Sequence, residues 1–278
     1  MINLYGSAMN TAAIDLPSRL ARLNGNMSAC PVYAERLTRL DEFIGLCETL
    51  TQETWLWFRG HSNWEWSLTP SALRSKREDV RTRALSLIHE FKRLAVRKLV
   101  DPPPFDHEFE WTQIARHYGL PTRLLDWTQN AAVGLYFACR SNRDTDGLVY
   151  VLNPVELNLV GGIADARILD ANTDAELIRE YLALGGRIQS RGKPSLAVNP
   201  VWNSERLVLQ KGVFTLHGSR HILIDSSQAL SLMAIPVYAE DKSNLLRQLS
   251  LIGVDEMSIF PEPEYVSRFL CRVLEQGR

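Results

Sequence analysis

Between His117 and Cys139 the chain passes within a few residues from a turn dense in polar groups into an unbroken apolar stretch, and that junction limits what it can build. Ala131 to Cys139 (AAVGLYFAC) presents no charged face, so it predicts a helix buried all round rather than an amphipathic surface helix. Its small residues allow its backbone to lie close to a neighbouring sheet. Directly before it, His117-Tyr118-Gly119-Leu120-Pro121-Thr122-Arg123-Leu124-Leu125-Asp126-Trp127-Thr128 carries an imidazole, an arginine, an aspartate, two threonines and an indole. Gly119 suits a left-handed helix end, and Pro121 blocks continuation. A loop with only a structural duty rarely needs so many polar groups, which makes the block a candidate site.

Around it, hydrophobic spacing predicts helices over 37–50, 78–100 and 106–118, so the N-terminal portion reads as helical. The triplet Pro102-Pro103-Pro104 separates the last two. Strands are expected at 54–58, ended by Arg59-Gly60, and at 147–152, 207–209, 213–216, 222–225, 232–237 and 257–260. Later helices are expected near 175–184, 243–252 and 263–274. Strands and helices mix without a βαβ rhythm. The fold class is therefore α+β: a mixed, mostly antiparallel sheet flanked by helices.

The formal net charge of −1 gives no global field to draw the chain to nucleic acid or an anionic membrane. The run Arg74-Ser75-Lys76-Arg77, followed by Arg81 and Arg83, is the densest basic stretch and reads as a solvated helix face. Cys30, Cys47, Cys139 and Cys271 show no zinc spacing, so no metal is expected; Cys139 and Cys271 read as small core residues. With no signal segment and no apolar run of about 18 residues, a cytoplasmic setting without a membrane partner is the expectation. Four of the seven tryptophans fall between Trp55 and Trp66, the mark of a core edge or a binding groove. Walker A, GxGxxG, HExxH and GxSxG patterns are absent, which argues against an ATPase, a Rossmann dehydrogenase, a zincin and an α/β-hydrolase.

Three features can carry chemistry. Arg59 offers a planar fork suited to carboxylate or phosphate, or to a structural ion pair with Asp126; Gly60 beside it admits a ligand or another backbone. In the central block, Arg123 and Asp126 sit three apart and can pair, Thr128 or Asn130 can cap the following helix, and His117 suits either acid–base chemistry or capping of its own helix. Third, Glu205 or Gln210 flanks a short apolar strand turned by Gly212, placed to point into a cleft or simply to build a hairpin.

Taken together these motifs resemble the FRG-domain family of bacterial and phage proteins, named for its Phe-Arg-Gly signature. Trp57-Phe58-Arg59-Gly60 opens the match and Leu68 to Arg74 follows; the His117 to Thr128 block with Asn130 to Ala138 is its most specific stretch. Arg206, Gln210, Gly212 and Phe214 resemble a third motif, while Arg116 stands where the family commonly has glutamine. The resemblance spans about residues 38 to 275, implying a single domain over 38–278 after a partly ordered lead-in at 1–37.

A fold-level analogy reaches further, to ADP-ribosyltransferases of the Arg–Ser–Glu type, whose motifs follow the same order. It implies an NAD site in which Arg59 and Gly60 hold the diphosphate, with Thr122, Arg123, Asp126 and Thr128 completing the binding residues. Glu205 or Gln210 would then contact the nicotinamide ribose, and His117 would act as acid or base. The expected function is an NAD-consuming ADP-ribosyltransferase or NAD glycohydrolase, in the role of a bacterial toxin or phage-defence effector, with a protein or nucleic-acid acceptor. The sequence specifies neither that acceptor nor an antitoxin partner. The alternative is a non-catalytic module binding a nucleotide, a nucleic-acid end or a protein. A nucleic-acid-processing enzyme centred on His117, Arg123 and Asp126 is a third reading.

Overall fold

The apolar segment after the polar block becomes the helix against which the sheet is assembled. The computed structural model describes residues 30–51, 55–182, 193–218 and 231–275. In chain order its elements are α1 (Leu40–Thr51), β1 (Trp57–His61), a single 3-10 turn (Ser71–Leu73), α2 (Glu78–Ala95), α3 (Glu108–His117), β2 (Leu124–Thr128), α4 (Ala131–Cys139) and β3 (Gly147–Leu152). Then follow α5 (Pro154–Val160), β4 (Leu169–Asp170), α6 (Ala175–Leu182), β5 (Leu196–Asn199), α7 (Glu205–Leu209) and β6 (Gly212–Leu216). The last elements are β7 (Leu232–Val237), α8 (Ala239–Leu251), α9 (Glu256–Ile259) and α10 (Pro263–Glu275).

The strands form one seven-stranded sheet in the order β4-β5-β6-β2-β1-β3-β7. Only β4 and β5 run parallel; the other neighbours are antiparallel. This is the α+β architecture expected, with three helices among the N-terminal elements. On one face, Phe58, Val149, Val151 and Ile235 pack against α4, α1 and α8. On the other, Trp57, Trp127, Leu148, Tyr150 and Leu152 form a second cluster; a third, with Phe109, Leu124, Phe214 and Tyr181, lies on the Phe58 face farther along the sheet. Every residue of β3 is buried, because alternate side chains enter opposite clusters. Each large apolar side chain so withdrawn contributes roughly 1.5–3 kcal/mol.

Asn130 starts α4 by accepting hydrogen bonds from the Ala132 and Val133 amides. Close approach to β1 is reciprocal: a Cβ on Gly134 would lie 2.7 Å from Phe58 Cβ, and one on Gly60 would overlap the Gly134 carbonyl and the Ala138 amide. Gly60 is thus required by the helix, the backbone side of the two uses its position allowed. Gly119, with φ of +85°, ends the α3 segment in the expected left-handed conformation.

Several local expectations are corrected. Arg59-Gly60 lies inside β1 rather than ending it, since the strand continues through His61. Leu207-Val208-Leu209 belongs to α7, not a strand: Ser204 caps it by accepting from the Leu207 amide, and three apolar residues are too few for a period to show. Met257 to Ile259 is likewise helical, started by a reciprocal Asp255–Ser258 capping box. Cys139 is buried as expected, but Cys271 is exposed on α10. The strand expected at 222–225 and most of the 1–37 lead-in lie outside the described residues. Among the described residues, no helix is long and apolar enough to cross a membrane.

Candidate functional site

Two neighbouring strands that barely pair create the cleft. β1 meets β2 at one register position, Phe58 opposite Thr128, whereas β1 follows β3 for five residues and β2 follows β6 for five. Where β1 and β2 part, the Asp126 carbonyl accepts a hydrogen bond from Arg59 Nη1 at 2.6 Å rather than from a strand amide. A guanidinium thereby satisfies a backbone acceptor that the split sheet leaves. A cleft of about 920 Å³ opens at this point, walled by both strands, the end of α3, the end of α4 and the segment around α7.

Asp126 is its electrostatic centre. Arg116, in the last turn of α3, forks onto it with Nε 2.6 Å from Oδ1 and Nη2 on Oδ2, and Arg59 Nη1 lies 3.8 Å from Oδ2. Withdrawal from bulk water at the foot of the cleft pushes this carboxyl up, but Arg116, Arg59 and Arg206 outweigh it and bring it down to about 2. It is ionised throughout the neutral range, and half of its side-chain surface still faces the cleft. Arg59 is lowered to about 10 by burial, with Arg116 and Arg74 adding to the effect against Asp126, so it too stays charged at neutral pH.

His61 fixes the Arg59 fork. Its Nε2 accepts from Arg59 Nε at 2.9 Å, which places the proton on Nδ1, 3.0 Å from the Trp66 carbonyl. Burial, reinforced by the adjacent Arg59 charge, holds this imidazole well below the usual histidine range, hence neutral. Beside it, Lys242 is fully buried and donates to the Ser62 carbonyl at 2.6 Å and the Asn142 carbonyl at 3.0 Å, tying α8 to the rim where Ser62 and Ser141 bond each other.

Across the cleft, Thr128 Oγ1 donates to the Gln210 carbonyl at 2.6 Å and accepts from the Asn130 amide at 3.0 Å, fastening β2, α4 and the end of α7 together. The Gln210 side chain lines the cleft and donates to the Ile259 carbonyl at 3.3 Å. Trp66 and Tyr118, both exposed, lie on the rim; of the tryptophan cluster, Trp57 is instead wholly buried, so the core-edge and groove readings each apply to part of it. In all, five cationic side chains (Arg59, Lys98, Arg116, Arg140, Arg206) face two carboxylates (Asp101, Asp126), an excess that favours an anion.

Of the candidate residues, Arg59, Gly60, His117, Asp126, Thr128 and Gln210 come together in this lining. Thr122, Arg123 and Glu205 do not. Thr122 is buried beside Ser71, Glu205 is exposed at the start of α7, and Arg123 is buried with its donors on the Tyr181 and His217 carbonyls. Arg123 therefore does not pair with Asp126; Arg116 does. His117 is exposed at the end of α3, its ring edge-on to Tyr118 at 5.1 Å. Sequence reasoning missed His61, Arg140 and the role of Arg116. Ten residues separate Arg116 from Asp126, an interval no helix or strand period relates, and its only signal is its place next to His117.

No curated protein and no solved structure matches the chain. A family model does: residues 54–147 match the FRG domain, a stretch that holds Arg59, His61, Arg116, Asp126 and Arg140, while Arg206 and Gln210 reach the cleft from beyond it. The chain thus carries an FRG domain, and its central polar cluster lies inside that domain.

Proposed function

We propose that the cleft binds a phosphate-bearing nucleotide, with NAD as the candidate ligand. The observation that carries this reading is the arrangement of two guanidiniums, Arg59 and Arg116, around the single carboxylate of Asp126, which leaves positive charge in surplus in a chain of net charge −1. Arg59 is oriented in advance by His61 and the Asp126 carbonyl, so little side-chain freedom is lost when a diphosphate docks. Trp66 and Tyr118 on the rim suit stacking of a base. Calorimetric titration with NAD and ADP-ribose tests it: both bind, and Arg59→Gln weakens both by roughly tenfold or more while the protein stays folded. Absence of heat and of any thermal shift with NAD, ADP-ribose and ADP overturns it.

Cleavage of NAD at the nicotinamide N-glycosidic bond, passing ADP-ribose to water or to a protein or nucleic-acid acceptor, is the catalytic extension. It is supported by Gln210 and Thr128 sharing the cleft with Arg59, and by Asp126 remaining ionised where positive charge develops on the ribose. Glu205, on the outer side of α7, has no part in it. Nicotinamide release is the readout, and Gln210→Ala is expected to lower kcat with KM little changed. A protein that binds NAD but releases no nicotinamide with any lysate is a binding module. Growth arrest on expression, lost in Arg59→Gln, is the outcome expected of a toxin or defence effector.

A further inference from the structure

Arg140 and Arg206 approach the cleft from different elements and meet on one aromatic ring. Arg140 caps the C-terminus of α4 and Arg206 lies on α7; their guanidinium carbons are 4.5 and 4.8 Å from the centre of the Phe260 ring. Tyr265 stacks on that ring at 4.2 Å with 13° between the planes, so one face is taken. Phe137 presses on it edge-on at 5.9 Å. Both guanidiniums are therefore confined to the opposite face and its rim. Cation–π attraction fixes each of them there, yet brings two like charges together.

Their neutralisation is incomplete. Glu262 Oε1 lies 3.3 Å from Arg206 Nη1, whereas Arg140 forms no ion pair among the described residues. Both side chains line the cleft, and Phe260 beneath them is buried, which makes the platform rigid. Two planar donor groups held on one support, with net positive charge turned to a cavity, match the several oxygens of a phosphate dianion.

We propose that Arg140 and Arg206, held on Phe260, form a second anion subsite that takes a phosphomonoester. Combined with the nucleotide reading above, on which this part rests, the preferred ligand carries a phosphate in addition to the diphosphate expected at Arg59 and Arg116. The subsite itself is tested with inorganic phosphate alone, followed by calorimetry and thermal shift on the full chain. Phosphate binds the unaltered protein, and Arg140→Gln and Arg206→Gln each weaken it roughly tenfold. Absence of phosphate binding, or binding indifferent to both Arg140→Gln and Arg206→Gln, overturns the proposal.

ADP-ribose 2′-phosphate and ADP-ribose are then compared. The first is expected to bind roughly tenfold more tightly, with the advantage lost in Arg140→Gln. Equal affinities that Arg140→Gln leaves equal overturn the ligand assignment. Phosphate binding that depends on Arg140, without binding of either nucleotide, upholds the subsite and defeats the nucleotide reading, so the two failures are distinguishable.

Discussion

The two faces of β2 put the same kinds of residue to opposite uses. Asp126 and Thr128 look toward the cleft, where guanidiniums outnumber carboxylates and half of the Asp126 side chain stays open. Leu125 and Trp127 point the other way, into a closed interior. There Trp127 Nε1 donates to Thr215 Oγ1 at 3.0 Å, and His217 lies between Thr215 and Ser195 at 2.8 Å from each. Arg123, only 4% exposed, donates to the Tyr181 and His217 carbonyls and is lowered to about 10 by burial. On that side, hydrogen-bond partners within the fold engage each of these groups; on the cleft side, charge is left in excess. A polar motif is therefore no measure of a site by itself, because strand alternation divides its residues between ligand and interior.

The contrast breaks most visibly at Arg123. Arg123→Met strips two buried carbonyls of a donor and is expected to cost about 3 kcal/mol in urea denaturation, with phosphate affinity of the folded protein unchanged. A variant of full stability that lost ligand binding would move Arg123 to the functional side. Next comes Gly60→Ala, whose methyl group meets α4 backbone rather than open cleft; about 2 kcal/mol of stability should be lost through overpacking. Unchanged stability together with impaired binding would show that the ligand, not the helix, demands glycine.

Acid provides the most graded test, its effect small within any one pH unit. The folded protein holds His61 below its ordinary 6.5, so as pH falls under that value the unfolded chain takes up a proton that the folded one refuses, and stability declines by up to about 1.4 kcal/mol per pH unit. Asp126, depressed from 3.8 to about 2, adds a further loss only as pH falls below about 4. His61→Gln is expected to flatten the first part of the profile and leave the second. A decline between pH 6.5 and 4 that persists unaltered in this variant would assign it to another group.

Much of this architecture was legible in one dimension. The helix at Ala131–Cys139, the left-handed Gly119 and the strands near Gly147–Leu152 and Leu232–Val237 follow from local pattern, because burial on all sides leaves no polar period to misread. Leu207–Leu209 and Met257–Ile259 were misread for the converse reason: short apolar runs fit either period, and caps at Ser204 and Asp255 decided them. Arg59, Asp126 and Gln210 stood out as polar residues beside apolar elements, yet the partnership of Arg116 with Asp126, and of Arg140 and Arg206 with Phe260, joins residues with no common local signal.

Sequence alone determined which segments must be buried, where the chain must turn and which family signature it bears, since these depend on side-chain volume, polarity and backbone freedom within a few residues. Tertiary structure decided that β1 and β2 share a single register pair before separating. That parting opens the cleft, turns a backbone carbonyl toward Arg59 and sets Asp126 between two guanidiniums. Strand register is fixed by packing against both layers at once, a balance of distant contacts that no local run of residues contains.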